Sequence, residues 1–177
     1  MAILLNQISN LRMRLDLLER LSDGVHSPAS LRMAVAVERY QHAPAGGRGE
    51  HRFSPLVAVP GATLLDLDLI RFLHALEDLL AGTAPEGQGE AALEASVDPA
   101  IGLRIGGGPD AYQVEVGIDL LNVLEPLGGQ SGERGSDLSL FRFDSNKRAV
   151  AAFCAALIAE FQGFPTDPSR VAPGNPG

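Results

Sequence analysis

An α+β protein is predicted, with a mostly antiparallel β-sheet of about six to seven strands and two amphipathic helices packed against it. Three observations carry this. Several short segments alternate apolar and polar residues, the period of a half-buried strand; two longer segments repeat apolar residues every three to four positions; and the connectors between the central strand segments are too short for the crossover that parallel pairing needs.

The elements follow in chain order. "LRMRLDL" places Leu11, Met13, Leu15 and Leu17 on one side and Arg12, Arg14 and Asp16 on the other, which predicts a strand. Leu4, Ile8, Leu11, Leu15 and Leu18 also fit a heptad seam, so a helix over residues 1–22 is the alternative. "LRMAVAVERY" alternates Leu31, Met33, Val35 and Val37 and contains the β-branched residues that a pleated surface favours. The Gly, Pro and charged residues between Gln41 and Arg52 predict an exposed loop. In the next segment, "FSPLVAVPG", Pro55 and Pro60 direct the chain to a sheet edge or out of the sheet, since proline has no N–H for a ladder. The period then changes. In "DLDLIRFLHALEDLLAG", Leu69, Phe72, Leu73, Leu76 and Leu80 share a helical face, Asp66 or Asp68 can cap the first turn, and Gly82 can end the helix in a left-handed conformation.

"TAPEGQGE" is a connector. "AALEASV", "IGLRI" and "YQVEVGIDL" then read as consecutive antiparallel strands joined by "DPA" and "GGGPD", both turn-forming. "LGGQSGERGS" is a second long polar loop. Leu138, Leu140, Phe141 and Phe143 make the last strand, Asp144 or Ser145 caps the final helix, and Val150, Phe153, Cys154, Leu157, Ile158 and Phe161 form its apolar stripe, stopped by Gly163 and Pro165. Residues 1–164 are expected to form a single α+β domain, and the Pro/Gly-rich residues 165–177 a disordered tail. No internal repeat is evident. Burying a large apolar side chain is worth roughly 1.5–3 kcal/mol, so both helical stripes must lie against something apolar, which the strands supply.

Composition narrows the function. A net charge of −8, with Lys147 the only lysine, disfavours nucleic acid, whose phosphates need clustered cations. No apolar run reaches the roughly 18 residues of a membrane span, and the N-terminus lacks the charged and apolar regions of a secretory signal, so a cytoplasmic protein without membrane partners is expected. Cys154, the only cysteine, falls on an apolar helix face and is expected to be a buried, inert thiol.

No motif names a reaction. The glycine-rich stretches "RIGGGPDAY", "GGQSGERGS" and "PAGGRGEH" do not lead into the helix N-terminus that a phosphate cradle requires. His26, His42, His51 and His74 lack metal-ligand spacing, and no serine lies in a nucleophile elbow. No catalytic residue, metal or cofactor is therefore expected. The numerous carboxylates on the strand region predict a solvated sheet face, or an acidic surface complementary to a basic partner, which speeds encounter. Residues expected at a protein-binding surface are Glu94, Asp98, Asp110, Glu115 and Asp119 on or beside the strands, and Arg48, Glu50, Glu133 and Arg134 in the two long loops, where exposed binding residues concentrate.

The order of elements, with Asp68, Leu69, Phe72 and Leu76 in the first helix and Phe141, Phe143 and Asp144 before the last, resembles the WapI-like family of bacterial immunity proteins. The chain departs from that family in carrying Asp144-Ser145-Asn146 at the last junction and no tryptophan. The resemblance implies a cytoplasmic protein that binds and neutralises a cognate toxin domain, without catalysis or cofactor. An assembly protein pairing with copies of itself or with other subunits is the alternative, and a small enzyme with a dispersed carboxylate site a third.

Overall fold

The computed structural model describes residues 1–21, 29–41, 52–84, 89–94, 101–107, 111–119 and 138–164. Eight strands and two helices occur among them: β1 (Ala2–Leu5), β2 (Leu11–Leu21), β3 (Ser30–Gln41), β4 (Arg52–Leu65), α1 (Asp66–Ala81), β5 (Glu90–Glu94), β6 (Ile101–Gly107), β7 (Ala111–Asp119), β8 (Leu138–Asn146) and α2 (Lys147–Gly163). The α+β class and the antiparallel pairing are as expected. The strands, however, form two sheets of four, ordered β1-β2-β3-β4 and β5-β6-β7-β8, and number eight.

The order ββββα thus occurs twice, a repeat that the residue pattern does not announce. When Asp66 is set against Lys147, the buried apolar residues of the helices coincide: Leu69 with Val150, Phe72 with Phe153, Leu73 with Cys154, and Leu76 with Leu157. Each unit's helix lies along the first strand of the other, α1 against β5 and α2 against β1. Each helix therefore packs against the strand that stands at the edge of the other unit's sheet. The inner faces of both sheets and the apolar stripes of both helices share one hydrophobic cluster, including Leu4, Met13, Leu15, Leu31, Val37, Leu69, Phe72, Leu103, Tyr112, Val114, Phe153 and Leu157.

The N-terminal segment is strand, not helix, because its alternation matches a sheet with one buried face: Met13 and Leu15 are buried opposite Val37 and Val35. The β1–β2 turn is closed by Asn6, whose side-chain oxygen accepts from the backbone N–H of Asn10 and Leu11 at 2.9 and 3.1 Å. It also ties the two sheets together, since Gln7 N–H donates to the Asp144 carbonyl at 2.9 Å and the buried Ser145 hydroxyl donates to the Leu5 carbonyl at 2.6 Å. β4 is an edge strand, as its two prolines require, and two register shifts interrupt its pairing with β3.

The helix ends refine the expectations. Asp68 accepts from the Leu65 N–H at 3.3 Å and so caps α1 from inside its first turn, while Asp66 instead pairs with Arg20 of β2. Gly82 takes the left-handed conformation (φ 72°) that ends α1. At the second junction the strand runs on through Asp144 and Ser145. Asn146 is the N-cap, its side-chain oxygen accepting from Ala149 N–H at 2.9 Å, because Ser145 is drawn into the core by its bond to Leu5.

Candidate protein-binding face

Both sheets bury one face and turn the other outward, and the two outward faces differ. On the first sheet the charges neutralise one another. Glu38 is only 5% exposed although it points outward, because Arg12 Nε (2.5 Å) and Arg14 Nη1 (3.2 Å) each donate to one of its oxygens. Arg14 also reaches Asp16 (3.1 Å), and Arg32 faces Glu19 (3.4 Å). Arg12 lies over the Phe53 ring at 4.0 Å, and Tyr40 meets Phe53 edge-on with centroids 5.4 Å apart, so an aromatic pair backs the Arg12 guanidinium. This face is an internally satisfied network.

The outward face of the second sheet is arranged in rows set by strand register. One row runs Glu90, Gly106, Gln113, Asp144; the next Ala92, Arg104, Glu115, Arg142; the third Glu94, Gly102, Gly117, Leu140. Arg104 Nη2 donates to Glu94 at 2.8 Å, and Arg142 Nε donates to Glu115 at 2.7 Å, directly across β7 and β8. The hydrogen bond to Glu94, followed by the charge of Glu90, holds the Arg104 guanidinium above its usual range, with smaller contributions from the charges of Glu94 and Glu115. With Asp119 in line with Glu115 along β7, five carboxylates face two guanidiniums on this surface among the described residues.

A shallow depression of about 420 Å³ lies at the Glu90 end, lined by Gly89, Glu90, Arg104, Gly106, Gly107, Gln113 and Glu115. Its floor is glycine for local reasons. A Cβ on Gly106 would lie 3.0 Å from the Glu90 Cβ and 3.1 Å from the Gly89 carbonyl, and Gly107 adopts φ +132° at the end of β6, where a Cβ would meet the Ala111 carbonyl at 2.6 Å.

Of the residues expected at a binding surface, Glu94, Glu115 and Asp119 are brought together here. Asp98, Asp110, Arg48, Glu50, Glu133 and Arg134 lie outside the described residues. Of the other charged residues in these rows, Arg104 and Arg142 fall on strands that alternation predicts, whereas the sequence pattern puts Glu90 in the connector before β5 and Asp144 at the cap of the last helix; only the register puts them in common rows. Among the described residues no group of three or more His, Cys, Asp or Glu side chains could hold a metal ion, and no helix is long and apolar enough to cross a membrane. Cys154 is a free thiol, 3% exposed between α2 and the core, and burial, reinforced by the charge of Glu77, pushes it up to about 11. No known protein family matches the chain, and no curated protein resembles it in sequence.

Proposed function

We propose that this chain is a non-catalytic, cytoplasmic binding protein of the immunity type, which recognises a basic surface of a cognate toxin domain and blocks it by covering it. The observation that carries this reading is the excess of carboxylates on the outward face of the second sheet, beside a first sheet of like architecture whose charges are matched. A net negative face attracts an oppositely charged partner and raises its encounter rate, an effect that salt suppresses. The resemblance of the first helix and of the last strand, Phe141 to Asp144, to WapI-like proteins supports the same reading. Affinity capture from the native host, followed by co-expression of the captured protein, tests it: a one-to-one complex with a toxin domain, and restored growth when the chain is co-expressed, are expected. Capture only of ribosomal or other abundant proteins, with no toxicity to relieve, would overturn it.

The second reading, assembly with copies of itself, has its own observation. β4 carries Pro55 and Pro60 on its edge, whereas β8 runs nine residues without proline or register shift against β7. A concentration-dependent increase in mass by light scattering would favour that reading.

A further inference from the structure

Resting on the binding reading above, we infer that the outward face of the second sheet takes an extended segment carrying two basic side chains four residues apart, laid across the strands along the row Glu90, Gly106, Gln113, Asp144. The row next to it is self-satisfied: Arg104 is drawn to Glu94 and Arg142 to Glu115. Glu90 and Asp144, at the two ends of the first row, are exposed, and their carboxylates make no hydrogen bond or ion pair among the described residues; Glu90 meets Arg104 only through its charge. Between them lie Gly106, which presents no side chain, and Gln113, an exposed amide able to donate and accept toward a peptide backbone. The depression beside Glu90 gives the end of a long cationic side chain a recess to enter.

The spacing selects the ligand. Glu90 and Asp144 lie on the first and fourth strands, three inter-strand steps of about 4.8 Å apart, or roughly 14 Å. An extended chain advances about 3.3 Å per residue, so side chains on one face reach that span at a separation of four residues, roughly 13 Å. Adjacent basic residues project to opposite faces and cannot serve both ends. The first sheet provides an internal contrast, because the corresponding surface is filled by Arg12, Arg14 and Phe53, with Glu38 already saturated between its two arginines.

The test uses the full chain and two synthetic peptides of equal composition and charge, Arg-Gly-Ser-Gly-Arg and Arg-Arg-Gly-Ser-Gly, titrated into ¹⁵N-labelled protein. The spaced peptide is expected to bind several-fold more tightly, to move the amides of Glu90, Gly106, Gln113 and Asp144 together, and to weaken several-fold in each of Glu90→Gln and Asp144→Asn and on addition of salt. Equal affinity for the two peptides, shifts centred elsewhere, or no shifts at millimolar peptide would overturn the inference. Its failure is separable from failure of the binding reading. If the captured partner binds the Glu90→Gln/Asp144→Asn double variant as tightly as the parent protein, this surface is not the site although the protein is a binder; if no partner is captured yet the spaced peptide still binds selectively, the surface stands and the toxin assignment falls.

Discussion

Glu38 and Cys154 show how single residues are held by opposite means. Glu38 faces outward yet is buried, since Arg12 and Arg14 both pair with it and Arg12 in turn stacks on the Phe53 ring. Hydrogen bonds to a charged group contribute roughly 1.5–3 kcal/mol, and losing the acceptor leaves two guanidiniums adjacent. Glu38→Ala should therefore destabilise the chain by about that amount in urea unfolding, with Glu38→Gln intermediate; a change under ~0.5 kcal/mol would mean that the arginines find water as readily. Cys154 is held by exclusion of water. Its thiol titrates near 11 in the fold instead of the usual 9.0, so the folded state keeps a proton that the unfolded state gives up over that interval. The thiol's contribution is intact below about pH 9 and is lost as pH rises towards 11, by roughly 2–3 kcal/mol at one pKa unit per 1.36 kcal/mol. Unfolding curves of wild type and Cys154→Ala compared across that range should show the extra alkaline loss in wild type alone. Below pH 9 the thiol should resist aromatic disulfide reagents until the protein unfolds.

At the scale of elements, the helices are legible in the sequence because a wide apolar stripe repeating every 3.6 residues over several turns fits a helix and cannot be laid on one face of a strand. Leu73, at 6% exposure, and Leu157, fully buried, occupy these stripes as their spacing requires. Truncation of a buried leucine costs about 2–5 kcal/mol, so Leu73→Ala and Leu157→Ala should each lower stability by that amount, measured from urea midpoints at unchanged slope. The strands are legible individually but not collectively. Alternation in Leu11–Leu17 and Leu31–Val37 gives the buried face of each strand and is silent on which strand lies beside it, or on where one sheet ends and another begins. β1 leaves no pattern of its own because a four-residue strand offers only Ala2 and Leu4 as its buried side, too short for a period to stand out. The final cap falls later than residue type predicts, for a long-range reason. Ser145, an acceptable cap residue by type, is committed to the Leu5 carbonyl of a strand far away in sequence, which leaves the task to Asn146. The candidate site shares this limit: Glu94, Glu115 and Asp119 can be read as strand carboxylates, but their meeting with Glu90 and Asp144 depends on pairing register.

For the whole molecule, the doubled ββββα order carries the most consequence, and it is hidden in the sequence because the two units preserve burial pattern more than residue identity: Phe72 and Leu76 recur as Phe153 and Leu157, but Leu73 answers to Cys154 and Leu69 to Val150. The helices are exchanged between the units. α1 packs against β5, α2 packs against β1, and the Ser145 and Gln7 bonds lock the end of β8 onto the first sheet. A unit isolated from its neighbour would keep four hydrogen-bonded strands but would expose the apolar sides of its own helix and of its first strand. It would lose half of a shared core, and small domains have little stability to spare. Residues 1–84 and 85–177 produced as separate fragments should thus be individually unfolded or aggregated. Mixed, they should recover cooperative unfolding and the intact protein's near-ultraviolet circular dichroism. Were either fragment to unfold cooperatively alone, with a midpoint close to that of the whole chain, the exchanged helices would be an ornament of packing and each sheet would have to be self-sufficient. Reassembly without independent folding would instead show that the two units behave as the halves of a fused dimer, in which the carboxylate-rich outward face of the second sheet forms only because the first unit's helix holds its leading strand in place.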